Sequence, residues 1–121
     1  MTHILLLDEA KEDIRDLDGS ARKIVAKGIE KLRTQPEQRG APLGSRQGGN
    51  LTGLRKLVVG NRDYRIVYDV REDDTIVVIW VVGHRADDEA YRLAAARIDT
   101  YAGDPRKKAI LKQMLDTAFG S

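Results

Sequence analysis

Five side chains in this sequence have the chemistry to work on a phosphate ester: Lys56, Arg65, His84, Arg85 and Tyr91. When an RNA 2′-hydroxyl attacks its own phosphate, that hydroxyl must lose its proton, the phosphorane charge must be balanced, and the departing 5′-oxygen must be protonated. Positioned cations and one acid–base pair meet these needs. Taken singly, each residue fits a solvated strand cation or a helix-rim tyrosine better, so the argument lies in their combination. Other chemistry is missing from the sequence. There is no His-Glu-x-x-His and no Gly-x-Ser-x-Gly, and the two histidines, His3 and His84, lie too far apart in sequence to suggest a metal pair. Asp87 and Asp88 form an acidic pair that reads as a helix start rather than a glycosidase or two-metal site. The absence of cysteine excludes disulfides, thiolate–metal sites and cysteine nucleophiles, and neither a metal nor a cofactor is expected.

The elements that must position these residues can be read from periodicity. A chain of 121 residues, 41% apolar and 33% charged, fits one folded domain. Residues 2–7 read as an opening strand. Ala10, Ile14 and Leu17 then mark a first helix, broken at Asp18-Gly19-Ser20, and Ile24, Val25, Ile29 and Leu32 mark a second that ends at Pro36. Two helices joined so tightly form an antiparallel hairpin. Glycine and proline then dominate Gly40 to Gly53, which predicts a long loop without helix or strand. A phosphate loop is disfavoured there because no Gly-Lys-Ser/Thr ending follows and no strand clearly precedes it.

Three strands are predicted next, over Leu54 to Val59, Tyr64 to Arg71 and Thr75 to Val82, joined at Gly60 to Asp63 and by a hairpin turn at Arg71 to Asp74. The middle strand alternates, with Tyr64, Ile66, Tyr68 and Val70 on one face and Arg65, Val67, Asp69 and Arg71 on the other. The third is apolar from Ile76 to Val82, as suits a central strand covered on both faces. A helix follows from Asp87, with Ala90, Ala94, Ile98 and Tyr101 as its buried stripe. A last helix begins at Asp104-Pro105 and carries Ile110, Leu111, Met114, Leu115, Ala118 and Phe119. The class is α+β, an antiparallel sheet with the helical hairpin on one face and the opposite face open.

Charge is unevenly spread, at −4 over residues 1–20, +8 over 21–71, −5 over 72–104 and +3 over 105–121. On charge alone the basic middle segment reads first as solvated helix and strand faces and second as a surface for a polyanionic partner, for which Arg55, Lys56 and Arg62 are the expected RNA-binding cations. The N-terminus lacks the basic start and long apolar stretch of a signal peptide, and Ile76 to Val82 falls short of the ~20 residues needed to cross a bilayer. A cytoplasmic protein is expected.

The combination Leu54-Arg55-Lys56-Leu57-Val58-Val59-Gly60, Asp63-Tyr64-Arg65-Ile66-Val67-Tyr68, Gly83-His84-Arg85 and Tyr91 resembles the RelE/ParE superfamily of type II toxin–antitoxin toxins. The resemblance spans residues 2–98. It implies a toxin domain over residues 1–103 and a C-terminal helical extension over 104–121. In RelE-type ribonucleases the residue matching Arg65 stabilises phosphate charge, the one matching Arg85 assists the leaving group, and the one matching Tyr91 does acid–base work. Lys56 matches a first basic strand residue. Many members carry a second basic residue two places later, where this chain has Val58, and His84 is the available neutral-pH acid–base group. The resemblance implies a metal-independent mRNA endoribonuclease acting on the ribosome, neutralised by a cognate antitoxin in a hetero-oligomer. Its ParE branch implies the alternative, a DNA gyrase inhibitor without nuclease chemistry. A toxin reduced to RNA or antitoxin binding is the third reading. If the nuclease reading holds, Arg65, Arg85 and Tyr91 converge on one side of the sheet.

Overall fold

The computed structural model describes residues 2–43, 53–71, 75–84 and 86–120, with residues 119 and 120 described by backbone only. In chain order the elements are β1 (His3–Leu6), α1 (Asp8–Arg15), α2 (Gly19–Lys31), a single 3-10 turn (Pro36–Gln38), β2 (Ala41–Pro42), β3 (Arg55–Val59), β4 (Tyr64–Arg71), β5 (Ile76–Gly83), α3 (Asp87–Gly103) and α4 (Pro105–Gly120). The strands form one sheet in the order β1-β5-β4-β3-β2. The α+β class and the helical hairpin on one face are as the periodicity predicts.

One pairing is not antiparallel. β1 runs parallel to β5, with His3 opposite Ile76 and Leu6 opposite Ile79. The reason is topological: α1 and α2 return the chain so that β3 starts in the direction of β1, and two antiparallel reversals, β3 to β4 and β4 to β5, restore that direction beside β1. The break between the first two helices works as a cap. Asp18 accepts a hydrogen bond from the backbone N–H of Ala21 at 2.8 Å, so the residue that ends one apolar stripe starts the next helix. α2 stops at Lys31, earlier than Pro36. Gln35, just before the proline, takes a left-handed conformation (φ 49°) that no helix continues through.

Two core layers sandwich the sheet. On one face α1 and α2 bury Ala10, Val25 and Leu32 against Ile66, Tyr68, Val77, Ile79 and Val82. α2 comes unusually close at Gly28, where a Cβ would lie 2.9 Å from both Ile66 Cδ1 and Val59 Cγ1. The other face is not open, contrary to the sequence expectation. α3 and α4 cover it, with Ala90, Ala94 and Tyr101 packed on Val67, Val78, Trp80 and Val81, and with Leu111, Met114, Leu115 and Ala118 against the same cluster. The apolar residues of β4 and β5 on that side supply enough surface to recruit both helices. Ile110, expected on the buried stripe of the last helix, is 45% exposed, and Phe119 has no described side chain.

The Gly40 to Gly53 stretch also departs from expectation at its start. Ala41 and Pro42 pair antiparallel with Lys56 and Arg55, forming the short edge strand β2. Gly40 makes this possible: at φ 66° its Cα faces the Lys56 carbonyl so closely that any Cβ would overlap it. Leu43 and Leu54 close the described ends of the loop, joined by a 2.9 Å backbone hydrogen bond and both buried. Residues 44–52, and residues 72–74 of the expected hairpin turn, lie outside the described residues.

β5 is an inner strand, yet β1 reaches only as far as Ile79. Past that point side chains replace the missing neighbour. Asp13 of α1 accepts from the Val82 N–H at 3.0 Å and holds Arg97 of α3 through two contacts at 2.7 and 3.1 Å, while Arg97 donates to the Trp80 carbonyl at 2.8 Å. The pair thus satisfies an open stretch of strand edge and ties the two helical layers together across it. Among the described residues, no helix is long and apolar enough to cross a membrane.

Candidate anion-binding site

The site is built where β3, β4 and the first turn of α3 meet. In the β3–β4 register Lys56 faces Val67 and Val58 faces Arg65, so Lys56, Val58, Arg65 and Val67 share one face of the sheet. That is the face covered further along by α3. Lys56 Nζ donates to Asp87 Oδ2 and Arg65 Nε donates to Asp87 Oδ1 at 2.5 Å, so two cations from neighbouring strands hold one carboxylate by separate oxygens. Lys56, opposed by partial burial and assisted by Arg65, keeps the Asp87 carboxyl below the usual carboxylate range.

Tyr91 follows Asp87 by four residues on α3, which places the two side chains on the same helical face, and Tyr91 packs against the cluster that contains Val67. Lys56, Arg65 and Asp87 therefore gather at one end of one face, and Tyr91 lies one helical turn beyond Asp87 along α3. Val58, in place of a second basic residue, lies directly opposite Arg65 on that face and leaves it with two strand cations. Arg85 lies outside the described residues.

The remaining candidates go elsewhere. Arg55 lies opposite Tyr68, on the α2 face, and its guanidinium donates to the carbonyls of Arg39 at 3.1 Å and Gly40 at 3.4 Å. The Tyr68 hydroxyl also reaches the Arg39 carbonyl, at 2.7 Å, so this cluster anchors the chain entering β2. Burial holds the Tyr68 hydroxyl above its usual pKa, in spite of Arg55, and keeps it a donor. Arg62 sits in the β3–β4 turn with φ 71° and is exposed. The His84 ring packs edge-on against Tyr64 at 6.0 Å, and Tyr64 belongs to the α1–α2 side of the sheet. The structure therefore does not bring Arg55 or His84 onto the face of Lys56 and Arg65.

Asp87 is the site residue that sequence reasoning did not pick out. Its position in the first turn of a helix explains an acidic residue there without any partner. The available signal was its spacing of four from Tyr91, which puts both on one helical face.

An α+β sheet with a helical hairpin on one face is a known class of fold. Over 80% of this chain and 97% of the other, it superposes on a free RelE toxin of Escherichia coli carrying two arginine-to-alanine substitutions, with a TM-score of 0.64 and 23% identity. A chain of the RelBE toxin–antitoxin complex of Mycobacterium tuberculosis matches at a TM-score of 0.58 and 26% identity, covering 69% of this chain and 98% of that one. A chain of the chromosomal ParDE system of Pseudomonas aeruginosa matches at 0.55 and 13% identity, covering 71% and 98%. No curated protein matches in sequence. Residues 4–89 match the sequence profile of the ParE toxin of type II toxin–antitoxin systems, parDE, and the chain belongs to that family, within the RelE/ParE toxin superfamily.

Proposed function

We propose that this toxin is a ribosome-dependent mRNA endoribonuclease that needs no metal and is held inactive by a cognate antitoxin in the cytoplasm. The observation that carries the reading is the convergence of Lys56 and Arg65 on a single carboxylate, with Tyr91 on the same face. Two cations that hold the two oxygens of a carboxylate are spaced to hold two oxygens of a phosphate. In this mechanism Arg65 and Lys56 balance the charge of the phosphorane, Tyr91 exchanges the proton of the attacking or departing oxygen, and Arg85 assists the leaving group. The antitoxin follows from the family and from relatives such as E. coli RelE in complex with a RelB antitoxin peptide.

The second reading, a gyrase inhibitor without chemistry, is favoured by the family profile itself, which is that of ParE. One experiment addresses both: induced expression with sequencing of RNA 5′ ends, beside a gyrase supercoiling assay on the purified protein. New 5′ ends within translated messages, with supercoiling unaffected, are expected. Inhibited supercoiling with no new ends selects the gyrase reading.

A further inference from the structure

Asp87 sits between the two strand cations. Its two oxygens take up Arg65 Nε and Lys56 Nζ, one each, while its own side chain remains 42% exposed against 21% for each cation. The carboxylate is thus more accessible to solvent than either cation it holds, and partly exposed ion pairs of this kind are weak.

We propose that Asp87 is an intramolecular competitor for the backbone phosphate, so that the nucleic acid binds by displacing its carboxylate from Lys56 and Arg65. Residue 87 then sets the affinity of the site. The inference rests on the anion-binding role of Lys56 and Arg65 proposed above, but not on cleavage. Removing the carboxylate takes one anionic partner from each cation without adding a contact, so affinity rises. Giving up two partly exposed ion pairs corresponds to about tenfold in affinity.

The test uses a fluorescently labelled 2′-O-methyl oligoribonucleotide, which keeps the phosphates but lacks the attacking hydroxyl, and measures binding by anisotropy in the full-length protein. Asp87→Asn is compared with wild type and with Asp99→Asn, a change of equal charge at an exposed position further along α3. Asp87→Ser serves as a second, smaller replacement, and circular dichroism checks that each variant is folded. Asp87→Asn and Asp87→Ser are expected to tighten binding about tenfold, and Asp99→Asn less than about twofold. Lys56→Gln and Arg65→Gln should weaken it. If the Asp87 variants bind no tighter than Asp99→Asn while the Lys56 and Arg65 variants weaken binding, the competitor role is overturned and the anion site stands. If Lys56→Gln and Arg65→Gln leave binding unchanged, the anion-site reading falls, and this inference with it.

Discussion

Lys56, Arg65 and Tyr91 come from three elements, and each reaches the site through a different local rule. Strand alternation sends Arg65 away from Tyr64 and Ile66, cross-strand register brings Lys56 beside it, and helical spacing carries Tyr91 onto the side of Asp87. If the cations stabilise the phosphorane, Arg65→Ala should lower ribosome-dependent cleavage by about 10²–10³-fold with little change in antitoxin binding. Tyr91→Phe should lower it too while leaving the melting temperature nearly unchanged, and primer extension on a translated message measures both. Cleavage at the wild-type rate in Arg65→Ala would remove the catalytic assignment. Asp13 has a structural job instead. Asp13→Ala strands Arg97 and the Val82 N–H in largely buried surroundings, and should cost about 3 kcal/mol in denaturant unfolding. A loss below half of that would mean water replaces the carboxylate.

At the scale of elements, α4 is held at both ends of its first half. Lys107 donates to Glu9 of α1 and lies over the Tyr101 ring at 5.1 Å, while Tyr101 donates to the same Glu9 at 2.7 Å. Burial and the Glu9 carboxylate push the Tyr101 hydroxyl up, so it stays a donor across the physiological range. Leu111, Met114 and Leu115 then pack against the core. Burying a side chain of this kind contributes about 1.5–3 kcal/mol, so removing residues 104–121 should lower the melting temperature or drive the truncated chain to self-associate. Unchanged melting and unchanged mass in solution would show that α4 contributes nothing. The Glu9 carboxyl lies below its usual range because the bonds from Lys107 and Tyr101 outweigh burial, which acts the other way. A carboxyl with a lowered folded-state pKa contributes stability above its unfolded value of about 4.3 and loses that contribution as pH falls through the folded value. Melting temperature should therefore fall on acidification below about pH 5, and fall less steeply in Glu9→Gln. Asp87 acts in the same direction, so some slope should remain.

Seen whole, the molecule is nearly neutral, at +2, but its positive charge is concentrated between residues 21 and 71. Two of the cations in that segment, Lys56 and Arg65, are the pair at the site, and a third, Arg55, is spent inside the fold on backbone carbonyls. If Lys56 and Arg65 form an anion site, an external agent must silence it, and type II toxin–antitoxin systems supply one as a partner protein. Co-expression with the adjacent small open reading frame should restore growth to cells expressing the toxin, and the two proteins should co-purify. Growth arrest that no neighbouring gene relieves would count against a dedicated antitoxin.

Much of this was legible from the sequence because it depends on local periodicity. The helical hairpin, the alternating β4, the apolar β5 and the helix carrying Tyr91 follow from spacings of two and of three to four residues, and Arg65 could be assigned to a face by counting. What spacing cannot show is how residues distant in sequence compete for one surface. The second covered face is one case, since it needs α3 and α4 to meet apolar groups from β4 and β5 at the same time. The bulge in β5 is another. The β4 register steps from Val67 opposite Val81 to Tyr68 opposite Ile79, so Trp80 and Val81 both turn to the α3 side and every later side chain changes face. By that step His84 meets Tyr64 rather than Arg65, although nothing in Ile76 to Val82 marks where the extra residue falls. Asp87 is the last case. Its helix-start chemistry is complete within one turn, and only the packing of α3 across β3 and β4 brings its carboxylate between Lys56 and Arg65.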